Sequence, residues 1–467
     1  MSNLEPNSGA PSPARRALGS VRAKYARIRS DELLGHLARG GLTALVIKLS
    51  SAGLTFLMFL LIARIMSADD YGRFALGFSL ASFMGIVAGV GLPTAILRWW
   101  PEYQTKGNLE GARDILRFGT RLILMVAVVV GIVMAAVSEA VSGGGRLFHA
   151  AALLIVPLAL SDYFASALRA LDRIVAALAP KDVAWRFLAV MIAGVYVLAE
   201  FRARPDQVLA LLALLLALLI LWQWAHLRKA VDEVVPSSRP EPGRSVPTFH
   251  RPAVLRVALP MWAAAVLINA SQHVDIVVIG LFVTPYAAGG YFAAARVASL
   301  LGFVLLAMYM ISSPLIARYH YDGDRAGLQA LLRRMIVMIA IPTVGGFLVI
   351  ILFGDGIMRL FNPAYAEFHG LLILLAASYA LSALGGPTEY VMQMTDNQTP
   401  FLRMMMVGYG AGLLVLLVLL PLIGIWGAAI GHLVSSCIRN LWVRHYSIRH
   451  IGVDPSVLSL LRPAIRA

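Results

Sequence analysis

Apolar residues in this chain come in long blocks separated by short polar turns. A helix that crosses a bilayer needs about 20 predominantly apolar residues. Runs near that length lie at 41–66, 72–97, 116–137, 147–169, 183–200, 206–226, 255–281, 289–315, 334–354, 368–392, 401–420 and 424–446. Within them the apolar positions are continuous rather than alternating, which selects helices over a closed barrel. The pattern predicts an all-α polytopic membrane protein with about twelve transmembrane helices.

The runs divide six and six around residues 227–254, whose Val235-Pro236-Ser237-Ser238-Arg239-Pro240 reads as a flexible linker. The expected organisation is a basic tail at 1–40, a six-helix lobe at 41–226, the linker at 227–254, a second lobe at 255–446 and a tail at 447–467. Residues 1–20 are rich in Pro, Ser and Gly and read as disordered. In 21–39, Val21, Tyr25 and Ile28 then Leu33, Leu34 and Leu37 recur near helical spacing among arginines, as in an interfacial helix.

A weak internal repeat supports the division. Residues 64–72 correspond to residues 281–289, with Ser67 and Thr284 each placed to cap the helix that follows; Asp70 or Pro285 completes the signal. After each comes an apolar span and then a Gly-centred turn, at 106–111 and 322–327. Halves that start on the same side make parallel pseudo-repeats about an axis along the membrane normal, with a site near their interface.

Composition agrees. Of 467 residues, 59% are apolar and 14% charged, against about 25% charged in soluble domains. The net charge of +15 would suggest nucleic acid in a soluble protein, yet here it follows the loops. With the N-terminus cytoplasmic, the outside loops hold only Arg73, Arg146, Arg202, Arg204 and Arg359. Both termini are then cytoplasmic, and the first span serves as an uncleaved anchor. Cys437 is the single cysteine and makes no intramolecular disulfide. Neither a GxxxxGK[ST] loop nor an HExxH cluster occurs, so no ATPase site, metal or cofactor is expected. No nucleic-acid partner and no catalytic residues are expected either.

Charge inside a span is costly and asks for a reason. Lys48 lies about 10 Å into the first span at 1.5 Å per residue, with Ser51 and Thr55 on the same face. It either snorkels or lines a cavity. Asp162, at similar depth in the fourth span, is its candidate partner or a coupling group. Arg64 and Arg98 close the first and second spans. The seventh span has the densest polar cluster, Asn269, Ser271, Gln272, His273 and Asp275, and depth allows Asp275 to pair with Arg296. Tyr291 adds a hydroxyl and a ring on the eighth span. Gly385-Gly386-Pro387 should break the tenth span. Trp99, Trp100, Trp222, Trp224 and Trp442 fall at span ends, as interfacial anchors do.

Ala63-Arg64-Ile65-Met66, Asp69-Asp70-Tyr71-Gly72-Arg73-Phe74, Gly89-Val90-Gly91-Leu92 and Arg98 resemble the opening hairpin of bacterial polysaccharide-biosynthesis (Wzx-like) flippases. These belong to the multidrug, oligosaccharidyl-lipid and polysaccharide exporter superfamily. Leu259-Pro260, Asp275, Gly290-Tyr291, Pro314 and Gly427-Ala428-Ala429 extend the resemblance over nearly the whole chain. It implies a flippase that moves a polyprenyl-pyrophosphate-linked oligosaccharide to the outer leaflet of a bacterial inner membrane by alternating access, for O-antigen, capsule or exopolysaccharide export. Lys48, Arg64, Arg98, Asn269, Gln272 and Arg296 would then bind substrate, and Asp162, His273 and Asp275 would couple ions or gate. Membrane lipids, a polysaccharide polymerase and export machinery are the further partners implied. Two other readings stay open: an ion-coupled drug antiporter of the same superfamily, which should carry an acidic pocket, and a non-transporting scaffold of a glycan-assembly complex.

Overall fold

Each expected span is helical over its described part in the computed structural model, which describes residues 43, 46–142, 145–234 and 251–461. The basic tail at 1–40 and the Pro-rich centre of the expected linker lie outside the described residues. The first half comprises α1 (Val46–Arg64), α2 (Ala68–Ala88), α3 (Leu92–Thr105), α4 (Leu109–Ser142), α5 (Gly145–Ala170), α6 (Ile174–Ala179), α7 (Trp185–Leu198) and α8 (Pro205–Val234). The second comprises α9 (Arg251–Phe282), α10 (Pro285–Ser299), α11 (Phe303–Tyr321), α12 (Arg325–Phe361), α13 (His369–Leu384), α14 (Thr388–Met394), α15 (Gln398–Ile423) and α16 (Ile425–Tyr446). Among the described residues, nine helical segments are long and apolar enough to cross a membrane. The α6–α7 unit, the 32-residue α9 and the 22-residue α16 complete the twelve.

Several spans are built from two helices, and the breaks have local causes. Gly91, at φ +70°, separates α2 from α3, and a Cβ there would stand 2.1 Å from the Ala258 carbonyl oxygen on α9. Only glycine meets both conditions. Between α13 and α14 the Gly385-Gly386-Pro387 signal breaks the helix as expected, with Gly386 at φ +80°. Between α6 and α7 the chain widens into a π turn, Pro180–Ala184. Such turns often mark functional positions.

The repeat seen in the sequence appears as matching local geometry. The Ser67 hydroxyl accepts the Asp70 amide at 3.1 Å and donates to its carboxylate at 2.8 Å. Thr284 accepts the Ala287 amide at 3.2 Å. At the opposite end, the Asn108 side chain accepts the Gly111 amide at 2.9 Å and Asp324 accepts that of Gly327 at 2.7 Å. Each pair occupies equivalent positions in its half.

The halves meet where these repeats coincide. Gly72 and Gly289, five residues after the two caps, face each other across α2 and α10. A Cβ on Gly72 would stand 1.6 Å from the Pro285 carbonyl oxygen. Around them Phe59, Tyr71, Phe74, Phe292 and Tyr365 are at most 2% exposed. Phe59 meets Phe292 edge-on at 4.9 Å, a favourable aromatic geometry. Tyr365 donates to the Ala68 carbonyl at 2.6 Å, and the Arg64 guanidinium donates to the Leu360 carbonyl. This end of the molecule, the apex, is closed.

One expectation is corrected by packing. Trp100 is 1% exposed and serves the interior rather than an interface, because α3 lies against α4, α5 and α9. The C-terminal tail is folded back as far as Leu461. Asp454 accepts Arg444 at 2.7 Å and exchanges two hydrogen bonds with the Gln329 side chain, at 2.9 and 2.8 Å. The Pro455 carbonyl rests on Gly386, where a Cβ would come within 1.9 Å of its oxygen. The strap thus covers the α13–α14 break.

Candidate functional site

Beneath the apex lies a cavity of about 920 Å³, walled by α1, α2, α3, α5 and the α6–α7 unit on one side and by α9 and α10 on the other. Met58, Phe59, Phe78 and Arg296 form its blind end. Lys48, Leu97, Asp162 and Arg169 lie toward its mouth, where the Lys48 and Asp162 side chains are 38% and 43% exposed. Five lysines and arginines line it, Lys48, Arg169, Lys181, Arg186 and Arg296, against two carboxylates, Asp162 and Asp182. The interior is strongly cationic.

The mouth is organised by the π turn. Pro180 has no amide hydrogen to give an α-helical ladder, and the wider turn that results presents Lys181 and Asp182 to the cavity. Lys48 donates to Asp182 Oδ2 at 2.5 Å, and Arg186 Nη1 donates to Oδ1 of the same carboxylate at 3.0 Å. Arg186 Nη1 also reaches the Lys181 carbonyl at 2.9 Å. Asp162 accepts Lys181 at 2.5 Å. Both carboxylates are therefore paired.

The expected Lys48–Asp162 pair is thus replaced by two others. Depth along the membrane normal matched Lys48 with Asp162, but Asp182 and Lys181 occupy the intervening ground. The expected Asp275–Arg296 pair also does not form. Asp275 accepts the Tyr291 hydroxyl at 2.9 Å and faces a separate crevice beside α15 and α16. Tyr291, 2% exposed, is consequently unavailable to a sugar. Arg296 instead lies over Phe59 and Phe292, with its guanidinium carbon 5.1 and 4.6 Å from the ring centroids. Its Nε is buried and makes no hydrogen bond among the described residues.

Of the residues singled out from sequence, Lys48, Asp162, Asn269, His273 and Arg296 line this one cavity, and Thr55 continues the Lys48 face into it. Asn269 donates to the Ala265 carbonyl at 2.8 Å, and His273 Nδ1 is buried without a hydrogen bond among the described residues. Arg64 is outside, exposed and tied to α12 at the apex. Arg98 is also outside, exposed with its guanidinium 5.9 Å from the Trp99 ring. The Gln272 side chain lies outside the described residues. Lys181, Asp182, Arg186 and Arg169 were missed. The first three stood at the edge of an expected span starting at 183, although an Asp182–Arg186 pair at i,i+4 was readable.

The fold is shared with transporters of the multidrug, oligosaccharidyl-lipid and polysaccharide exporter superfamily. An inward-facing multidrug resistance MATE family transporter superposes with a TM-score of 0.65 at 16% identity, over 86% of this chain and 98% of that one. The lipid II flippase MurJ in an inward closed conformation gives 0.64 at 12% identity, over 90% and 91%. A superfamily transporter from Pyrococcus furiosus, whose reversed binding-pocket polarity was taken to suggest a different function, gives 0.58 at 15% identity, over 88% and 95%. No curated protein matches the sequence. Twelve spans in two pseudo-repeats around a central cavity give this chain the multi-pass fold of that superfamily. The model of the polysaccharide biosynthesis protein family matches residues 37–320, and the chain belongs to this family.

Proposed function

We propose that the protein flips a polyprenyl-pyrophosphate-linked oligosaccharide from the cytoplasmic to the outer leaflet of a bacterial inner membrane, for export of a surface polysaccharide such as O-antigen, capsule or exopolysaccharide. The observation that carries this reading is the cavity's excess of cations over carboxylates, with Arg296 at its blind end unpaired by any carboxylate among the described residues. Such a site favours an anionic headgroup and disfavours the cationic cargo of a drug antiporter. Guanidinium groups suit phosphate through their planar fork of donors.

On this reading the mouth faces the cytoplasm, both termini are cytoplasmic, and the two six-helix lobes rock about the Gly72–Gly289 crossing. Lys48, Lys181, Arg186 and Arg296 hold the pyrophosphate, Asn269 and Gln272 meet the sugar, and the lipid tail stays in the bilayer. Asp162, His273 and Asp275 are the groups through which an ion would couple or gate. A membrane potential contributes about 2.3 kcal/mol per charge per 100 mV to outward movement of an anion. A polymerase and export machinery would take the product.

The test is the sidedness of lipid-linked glycan in cells that lack the protein. Accumulation facing the cytoplasm, relieved by wild type and not by Lys48→Ala, is the expected result. Normal arrival at the outer leaflet without the protein removes this cargo.

A further inference from the structure

Asp182 sits between two cations of the proposed anion seat and takes one on each oxygen, Lys48 on Oδ2 at 2.5 Å and Arg186 on Oδ1 at 3.0 Å. That is how a lysine and an arginine hold two oxygens of one small anion. The Asp182 side chain is 11% exposed, that of Arg186 16% and that of Lys48 38%, so the carboxylate lies at the deeper side with the lysine toward water. The arginine fork is not saturated by this contact. Arg186 Nε is buried and makes no hydrogen bond among the described residues, so one donor of the guanidinium is unused.

We propose that Asp182 is a built-in stand-in for the cargo's phosphate: it holds Lys48 and Arg186 in place before binding, and the arriving diphosphate displaces it from both. The proposal rests on the reading of the cavity as a seat for anionic cargo, and it names the residue that sets selectivity there.

Two consequences follow from the charges. A diphosphate exchanges for the carboxylate anion for anion, so neither cation has to be stripped of water anew, and the cost is divided between desolvating the diphosphate and leaving Asp182 without its partners. A neutral headgroup has no charge with which to displace Asp182, and the pair excludes it. After exchange, Asp182 remains beside the diphosphate as a like charge. It weakens the complex and assists release, which a carrier needs as much as binding. The Lys181–Asp162 pair differs, since Asp162 is 43% exposed and engages one cation.

The test is calorimetric titration of inorganic pyrophosphate and of farnesyl diphosphate into the full-length detergent-purified protein. Asp182→Asn should bind both about tenfold more tightly than wild type, and Lys48→Ala about tenfold more weakly, given the cost of like-charge juxtaposition and of a lost charge pair. Adding Asp182→Asn to Lys48→Ala should recover affinity relative to Lys48→Ala alone. This double variant leaves no unpaired Lys48, so the comparison survives if Asp182→Asn alone does not fold. Unchanged or weaker binding on losing the Asp182 charge, in both backgrounds, makes the residue a structural anchor and overturns the exchange while leaving the anionic-cargo reading intact. Absence of binding to every form, wild type included, overturns that reading and the exchange with it.

Discussion

Arg296 shows most clearly what a single residue contributes. Packing over Phe59 and Phe292 gives its charge a cation–π contact, of about 2 kcal/mol when desolvated, in place of a carboxylate partner. A buried charge without an ionic partner is seldom retained for stability, and replacing it by an apolar side chain is often neutral or stabilising. Arg296→Met should therefore keep or raise the melting temperature in detergent while pyrophosphate binding falls at least about tenfold. A drop of several degrees would mean that the guanidinium holds the apex together. At this scale the sequence was half legible. The cost of a cation within a span pointed to Lys48 and Arg296, and both line the cavity. Their partners were misassigned because counting along a helix gives depth and not the direction around its axis. Lys48 and Asp162 share a depth, yet Lys48 faces the π turn and finds Asp182. Arg64 and Arg98 sit at span ends, where depth cannot separate a cavity residue from a strut.

Among the elements, turns and caps were the most readable. Ser67 with Asp70, Thr284 with Pro285, and the Gly385-Gly386-Pro387 break act through their nearest neighbours, so spacing alone specifies them. The C-terminal strap was not readable, since its contacts with Gln329 and Gly386 link residues distant in sequence. Burial pushes the Asp454 carboxyl up, but hydrogen bonds from Arg444 and Ser456 outweigh this and hold it below the usual carboxylate range. A depressed carboxylate stabilises the fold above its unfolded value of about 4, and that contribution is lost as pH falls through the folded value below it. Asp454→Asn should cost about 2 kcal/mol at pH 7, read as a lower melting temperature, and the gap to wild type should close below about pH 4. A gap unchanged with pH would assign the loss to packing. The π turn at Pro180–Ala184 was likewise beyond the sequence pattern, because apolar periodicity blurs where the helix widens.

For the whole molecule, the count of spans and the parallel repeats follow from hydropathy and two similar turns. Where the halves touch does not. The aromatic apex and the Gly72–Gly289 crossing arise from surfaces that an apolar run cannot distinguish from lipid-facing ones. The closed apex suggests a handle on the conformational balance. Gly72→Val places side-chain atoms where the Pro285 carbonyl lies, and overpacking of this kind costs about 1–3 kcal/mol. Against Cys437→Ser, a probe Ser82→Cys in the cavity wall should gain reactivity toward an impermeant maleimide from the apex side when Gly72→Val is present. Unaltered sidedness would separate this crossing from gating.

The central claim is that this cavity carries an anionic lipid-linked glycan across the bilayer. Its most direct test is reconstitution of the purified protein into vesicles holding a polyprenyl-diphosphate oligosaccharide, with the glycan accessible to added glycosidase scored over time. The account predicts that wild type renders the inner-leaflet pool accessible within minutes, that Arg296→Met does not, and that a neutral polyprenol glycoside is not moved. Equal movement of the neutral lipid, or no movement of either by a folded protein under an imposed potential and ion gradients, would contradict it.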